Sequence, residues 1–460
     1  MTHYDAIVIG SGQAGTPLSK KLAAAGFKTA LIEKRWLGGT CVNDGCSPSK
    51  TMIASAKAAW SAEHNKSLGV EPGAITIDFK TILGRKNKVV NTMRSNLEKG
   101  IGETKNLDLI EGTAIFTDKK EITVTLNDGG SAVLTADLFF LNTGETPAIP
   151  DIEGIKDIDY HTSTTILDIE EIPEHLLILG SGYIGLEFGQ MFRRFGSNVT
   201  ILEPSGRILK KEDEDIAEEI TKILAEEGIQ IETGSKAIAF AKQSGQITAR
   251  IEKEGKTTSL NCSHVLVATG RKPQTDNLGL NVAGVEIDEK GYVKVNDKLE
   301  TSAAGIFALG DMKGGPAFTH ISYDDYRIVA SNVIDKKAAS ITDRIVPYCM
   351  FIDPQLGRVG ITEQEAKEQG IEIKVAAIKN DSVARAIETG DERGMMKAIV
   401  DAKSGKILGA SVLAEQGGEI ATLLQVAMMG GLTYEQIRDA AFAHPTYAES
   451  LNNLFMTLDE

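Results

Sequence analysis

The chain has 460 residues, 42% hydrophobic and 25% charged, with a formal net charge of −15. That length exceeds one ordinary core and predicts two to four domains, while the acidic balance argues against a nucleic-acid or anionic-membrane partner. No apolar run is long enough to span a membrane, no basic stretch precedes the first strand, and four cysteines do not make a secreted disulfide framework, so a cytoplasmic location is expected.

Residues 6–10, Ala-Ile-Val-Ile-Gly, read as a buried strand. They lead into Gly10-Ser-Gly12-Gln-Ala-Gly15, a helical stretch over 16–26 and a second strand over 28–33 that ends in Glu33. This is a full dinucleotide-binding signature. The glycines permit the tight turn, the approach of a pyrophosphate and close helix–strand packing. The helix N-terminus meets the phosphates, and the acid meets a ribose hydroxyl.

Residues 38–50 follow, Gly-Gly-Thr40-Cys41-Val-Asn-Asp-Gly-Cys46-Ser-Pro-Ser-Lys50. Four residues separate the cysteines, enough for the chain to loop back and for a disulfide of about 2 Å to form. The spacing alone also admits zinc, which would need two more ligands; Cys262 and Cys349 stand apart in the chain. The pair reads as a redox-active disulfide beside a flavin, with a structural bridge or a metal site as alternatives, because cytosolic disulfides are usually catalytic. Pro48 can occupy the first turn of a helix beginning near Cys46, which would place the Cys46 thiolate at a positive helix end. Lys50, four residues beyond Cys46, falls on the same helical face.

The nucleotide pattern then returns. Residues 175–180 lead into Gly180-Ser-Gly182-Tyr183-Ile-Gly185, a helix over 186–195 and a strand over 198–203 ending in Glu203. Glu33 lies 18 residues after Gly15, and Glu203 lies 18 after Gly185. One such loop is weak evidence; two, each preceded by a strand and followed at equal distance by an acid, are strong. Strands over 137–144, ending in Thr143-Gly144, and over 264–270, ending in Thr269-Gly270, repeat as well. Each is expected to be the last before the chain leaves its nucleotide site. A strand over 305–311 ends in Asp311, expected at a flavin ribityl chain, and His320 shortly after it is read as structural.

From residue 343 the pattern changes. Strands over 397–400 and 407–413 mix with helices over 363–369, 419–429 and 434–439, without a third Gly-rich loop, which suits an α+β interface domain. His444-Pro-Thr446-Tyr-Ala-Glu449 supplies a histidine, the side chain that titrates nearest neutrality, as an acid–base candidate. Glu449 has two readings. It orients His444, or it closes a capping box with Thr446 at a helix start.

These pieces, in this order and over essentially the whole chain, resemble the class I pyridine nucleotide-disulfide oxidoreductases: dihydrolipoamide dehydrogenase, glutathione reductase and mercuric reductase. The motifs that carry the likeness are residues 38–50, Ala268-Thr-Gly-Arg-Lys-Pro273, Gly305-Ile-Phe-Ala-Leu-Gly-Asp311 and His444-Pro-Thr-Tyr-Ala-Glu449. Gly12-Gln-Ala-Gly-Thr-Pro-Leu, Ser47-Pro-Ser-Lys-Thr and Ser450-Leu-Asn-Asn-Leu-Phe look most like the mercuric-reductase-like branch.

The resemblance implies an α/β protein with two Rossmann-like dinucleotide domains and a C-terminal α+β dimerisation domain. FAD would occupy 1–150 and 276–342, NAD(P)H 151–275, and the dimer contact 343–460. FAD would meet Gly10, Gly12, Gly15, Glu33 and Thr40, then Lys50, Thr143, Gly144 and Asp311. The nicotinamide cofactor would meet Gly180, Gly182, Gly185, Glu203 and Gly270, with Tyr183 over its pocket and Glu187 near Lys50. Catalysis would fall to Cys41, Cys46, His444 and Glu449, in a homodimer whose sites combine one subunit's cysteines with the other's His444. Cys46 would be the sulfur nearer the flavin and Cys41 the exchange thiol.

The implied acceptor is a small-molecule disulfide or a metal ion, with no resident metal. The alternatives are a dihydrolipoamide dehydrogenase and a flavin-containing redox sensor without turnover. Glu203 can accept from both ribose hydroxyls, which favours NADH, although Arg207, Lys210 and Lys211 follow closely. Three residues depart from the common pattern: Asp44 where an apolar residue is usual, Asn142 where a small one is, and Ala448 where serine is common. The last cysteine is Cys349, so Hg(II) turnover is expected to be slow.

Overall fold

The computed structural model describes residues 1–71, 73–243 and 245–459. The chain divides into two compact units. Residues 1–51, 83–148 and 270–344 make the first, and residues 52–82, 149–269 and 345 onward make the second.

In the first unit the apolar runs pair as parallel strands. Thr2–Ile9 lies between Thr29–Glu33 and Ser131–Leu141, with Leu107–Asp118 beyond the former and Ile306–Ala308 beyond the latter. Glu121–Leu126 runs antiparallel to both long strands and joins them as a meander. Ile7, Val8, Leu31, Phe139 and Phe140 are fully buried, as strands covered on both faces require. The first helix, Gly15–Ala24, packs Leu18 and Leu22 into this core. The strand before Asp311 is shorter than the sequence suggests. It stops at Ala308, and Gly310, at φ +71°, turns the chain into the 3-10 helix Gly310–Lys313 that carries Asp311.

The second unit repeats this order. Its parallel strands are Gln230–Thr233, Asn198–Glu203, His175–Leu179, His264–Val267 and Tyr160–Thr162. The helix after its Gly loop is Tyr183–Phe195, three residues longer at its start than the apolar pattern indicates, because Gly182 is the cap. An antiparallel sheet of Ser235–Gln243, Gln246–Lys253 and Lys256–Cys262 follows the last parallel edge strand.

The same unit contains a five-stranded antiparallel sheet, ordered Pro347–Met350, Gln355–Gly360, Ile407–Ala414, Met395–Asp401 and Ile373–Lys379. Helices Gly417–Met429 and Ser450–Met456 bury Ile420, Leu424, Leu451 and Phe455 in its core. On the other side of Gly417–Met429, Val426 and Met429 remain 61% and 70% exposed. The protein therefore has the α/β architecture with two Rossmann-like folds and an α+β C-terminal domain that its sequence predicts. Among the described residues no helix is long and apolar enough to cross a membrane.

Asn142, where a small residue was the norm, ties the first unit together. Its buried amide oxygen accepts the Gly15 N–H at 2.9 Å, and its amide nitrogen donates to the Leu309 carbonyl at 3.0 Å. Asn142→Ala strands a buried donor and a buried acceptor. It is expected to cost about 1–3 kcal/mol and to move the urea unfolding midpoint of the first unit down; an unchanged midpoint would show that the amide holds nothing.

Candidate active site

A close backbone approach shapes the cysteine loop. Gly38 and Gly39, at φ +97° and +61°, turn the chain into the short helix Gly39–Asn43, which carries Thr40 and Cys41. Gly45 then returns so near that a methyl group on it would stand 2.9 Å from the Thr40 carbonyl oxygen. Cys46 opens the helix Cys46–His64, and Pro48 sits in its first turn, as the spacing predicts. Asn43 braces the loop by donating to the Leu37 and Gly39 carbonyls at 2.9 Å while accepting from Arg94 at 2.8 Å.

Both cysteines are free thiols here, Cys41 partly buried and Cys46 exposed. The Cys46 sulfur lies 3.3 Å from the hydroxyl of Thr319, the first residue of the helix Thr319–Val333. A hydrogen bond from Cys41 is the largest influence on Cys46. Burial opposes it, and the Thr319 hydroxyl and the Lys50 ammonium add to it, bringing the Cys46 thiol down to about 6. Cys41 is pushed upward by giving that hydrogen bond and by burial. The two shifts run in opposite directions and favour a thiolate on Cys46 with the proton kept on Cys41. Thr319 carries no local sequence signal, being 273 residues from its partner; the sequence draws attention to its neighbour His320 instead, which stacks on Phe318.

At the first Gly loop, packing bears on all three glycines. Gly10 has φ +99°, and a methyl on Gly15 would lie 2.0 Å from the Gly10 carbonyl oxygen. At Gly12 the methyl would meet the Asn142 amide oxygen at 2.7 Å. The Glu33 carboxylate is fixed beside the loop by the Ser11 N–H at 2.9 Å, the Ser11 hydroxyl at 2.7 Å and the Arg35 N–H at 2.9 Å. Thr143 donates to the Gln274 carbonyl at 2.7 Å, and Gly144, at φ +67°, borders open space. Burial, then the Glu145 carboxylate, raises the Asp311 carboxyl to about 6 against the pull of Arg271 and Lys313.

The second loop differs in one instructive respect. Gly180 has φ +101°, and a methyl on Gly185 would lie 2.2 Å from the Gly180 carbonyl oxygen, as in the first loop. Gly182, however, has φ −72°, open to any residue, and nothing stands within 4 Å of a methyl there. Neither backbone nor packing asks for glycine at 182, whereas close approach of a pyrophosphate does. Gly270 turns the chain at φ +132° beside open space. The residues present fit a dinucleotide.

Glu203 repeats the role of Glu33. It accepts from the Ser181 N–H at 3.3 Å, the Ser205 N–H at 2.9 Å and both serine hydroxyls. Burial opposes ionisation, but these donors hold the carboxyl below its usual range. Arg207 is committed to its own loop, donating to the Leu209, Lys210 and Glu212 carbonyls. Tyr183 opens its helix 40% exposed. Glu187 is buried and accepts the Phe351 N–H at 2.8 Å.

His444 is exposed, and its Nδ1 faces the two carboxylate oxygens of Glu449 at 3.1 and 2.9 Å. The capping-box reading of Thr446 is only half met. Thr446 Oγ1 accepts the Glu449 N–H at 3.2 Å, but the helix begins later, at Ser450, and the carboxylate turns to His444. A carboxylate at Nδ1 holds the proton there and leaves Nε2 as the exchanging nitrogen.

The pyridine nucleotide-disulphide oxidoreductase family matches residues 4–325, and the dimerisation domain of that family matches 346–455. The chain is 38% identical to the probable pyridine nucleotide-disulfide oxidoreductase RclA of Escherichia coli over 99% of both chains. It is 35% identical to a mercuric reductase of Lysinibacillus sphaericus over 100% of this chain and 83% of that one. It is 32% identical to a dihydrolipoyl dehydrogenase of Geobacillus stearothermophilus over 97% and 94%. Among solved structures, the Cu(II) complex of the HOCl-induced flavoprotein disulfide reductase RclA of Escherichia coli superposes with a TM-score of 0.91 at 38% identity, each chain covered fully. Two nucleotide folds, a cysteine pair poised as thiol and thiolate, and likeness along the whole chain lead to one conclusion: the protein belongs to the class I pyridine nucleotide-disulfide oxidoreductases, FAD-dependent enzymes that use pyridine nucleotides.

Proposed function

We propose that the protein takes two electrons from NADH and delivers them through FAD to the Cys41–Cys46 disulfide, and from there to a small-molecule disulfide or a metal ion. The observation that carries this reading is the geometry of the pair: Cys46 opens the helix Cys46–His64 with its sulfur 3.3 Å from the Thr319 hydroxyl, and the Cys41 hydrogen bond, Thr319 and Lys50 all favour its thiolate. The Cu(II) complex of RclA supports including metal ions among the acceptors. FAD-binding segments 1–150 and 276–342, a nicotinamide-binding segment 151–275 and an interface segment 343–460 form our working division.

When bound, FAD supplies a two-electron relay between nicotinamide and disulfide. Gly10, Gly12, Gly15 and Glu33 would hold its pyrophosphate and ribose, while Thr40, Lys50, Thr143, Gly144 and Asp311 would meet the rest. The exposed face of Cys46 is the one assigned to the flavin. Cys41 then acts as the exchange thiol and attacks the acceptor as its thiolate. Nε2 of His444, oriented by Glu449, takes the proton from Cys41 and returns it to the departing thiol. Gly180, Gly182, Gly185, Glu203 and Gly270 would hold the nicotinamide cofactor, with Tyr183 over the pocket and Glu187 buried behind it. Exposed Val426 and Met429 in the dimerisation domain support a homodimer. Each active site would then combine one subunit's cysteines with the other's His444.

Cys46→Ser should keep FAD yet lose the long-wavelength thiolate–flavin band, whereas Cys41→Ser should show that band without prior reduction. The opposite pattern would reverse the assignment of the sulfurs. In the reduced wild-type protein the thiolate signal should survive acidification to about pH 6, the value at which Cys46 protonates, and fade below it. Fading near the ordinary thiol range, about pH 8.5, would remove the basis of the proposal.

Glu203 faces a would-be 2′-phosphate with like charge, and Arg207 directs its N–H groups to the Leu209, Lys210 and Glu212 carbonyls, which leaves the exposed Lys210 and Lys211 as the nearby cations in sequence. We expect kcat/KM for NADH to exceed that for NADPH by about tenfold or more; a tenfold preference for NADPH would overturn this. Dimer sharing has its own check. His444→Ala and Cys41→Ser homodimers should both be inactive, and a verified mixed dimer should recover one working site. No recovery would place the whole site in a single chain.

A further inference from the structure

Asp44 sits between the two cysteines, and its carboxylate pairs with the guanidinium of Arg35. The Asp44 side chain is only 14% exposed, whereas Arg35 is 47% exposed. Arg35 is itself anchored, because its N–H donates to Glu33 at 2.9 Å. The end of the strand Thr29–Glu33 is thus fastened through Arg35 to the turn between the cysteine-bearing helices. Asp44 precedes Cys46 by two residues, so their Cα atoms are at most about 7 Å apart. That is within the reach of an unscreened charge.

The consequence follows from charge balance. Reduction of the Cys41–Cys46 disulfide breaks the S–S bond, takes up two electrons and one proton, and leaves a thiol on Cys41 and a thiolate on Cys46. A hydride given up by the reduced nicotinamide accounts for both electrons and the proton. The disulfide is neutral and the product carries one negative charge. A carboxylate beside it opposes both reduction and proton loss, and a guanidinium favours both.

We infer that Arg35 and Asp44 form a balanced charge pair that sets the pH at which Cys46 ionises and the potential at which the disulfide is reduced. Arg35 cancels a carboxylate that would otherwise weaken the Cys46 thiolate. Both are positioning residues that act through the field at the sulfur. The remaining groups that face Cys46 are the Cys41 thiol, the Thr319 hydroxyl, the Lys50 ammonium and, in the proposed dimer, His444 of the partner subunit. This inference rests on the redox reading of the cysteine pair given above.

The test is a double-mutant cycle on the FAD-loaded protein, reduced anaerobically with one equivalent of NADH and titrated while the long-wavelength band is followed. Arg35→Gln should raise the midpoint by about half a pH unit, and Asp44→Asn should lower it by a similar amount. The double variant should return to the wild-type midpoint. The disulfide potential should move in step, more negative in Arg35→Gln and less negative in Asp44→Asn. Both single shifts should shrink in about 1 M salt. A purely structural contact would instead move both single variants the same way and the double at least as far, which would overturn the inference, as would unmoved midpoints in both single variants. Absence of any band in the wild-type protein would refute the redox reading itself, so the two failures are distinguishable.

Discussion

A negative sulfur at Cys46 is the state on which the proposed function depends, and it has to be stabilised within a chain of net charge −15. The local structure does this with oriented groups rather than with overall charge. Gly45 brings the chain back so that Cys46 starts a 19-residue helix, placing its sulfur near unpaired backbone N–H groups. Pro48 continues that turn without sacrificing a needed donor. A second helix start approaches from Thr319. Lys50, one turn along, supplies a nearby cation. Each element is modest alone, and together they lower the Cys46 thiol.

The two nucleotide folds show how one motif is adapted to two tasks. In both, the first and third glycines answer to the backbone and to packing, and a strand-end glutamate is held by a serine of the loop. The difference lies at the position before Thr-Gly. Asn142 in the first fold reaches under Gly12 and takes the Gly15 N–H, whereas Ala268 in the second leaves Gly182 bordering open space. The first loop is thus braced from inside by a side chain, and the second is left to a ligand.

Much of this was legible in the sequence because the signals are local. The Gly loops, the cysteine spacing and Pro48 each act within a few residues, and the strand-end acids bond loop serines 22 residues back at the same spacing in both folds. Contacts between distant segments were not legible. Thr319 meets Cys46 across 273 residues, and Asn142 meets Gly15 across 127. Asn142 registered only as a departure from a pattern, without its job. Arg207 read as a possible phosphate partner because its charge is visible in sequence, while the three carbonyls that engage it are not. At Glu449 the motif supported two readings, and in the structure the helix starts later, at Ser450, with the carboxylate beside His444.

Selective alkylation tests the division of labour between the sulfurs most directly. The FAD-loaded protein would be reduced with one equivalent of NADH under argon, treated briefly with iodoacetamide near neutral pH, and mapped by peptide mass spectrometry. On the proposed assignment the bound flavin covers the Cys46 thiolate and His444 takes the proton from Cys41, so modification should fall on Cys41 and the long-wavelength band should persist. Modification of Cys46 with loss of the band would contradict the assignment on which the proposed function depends.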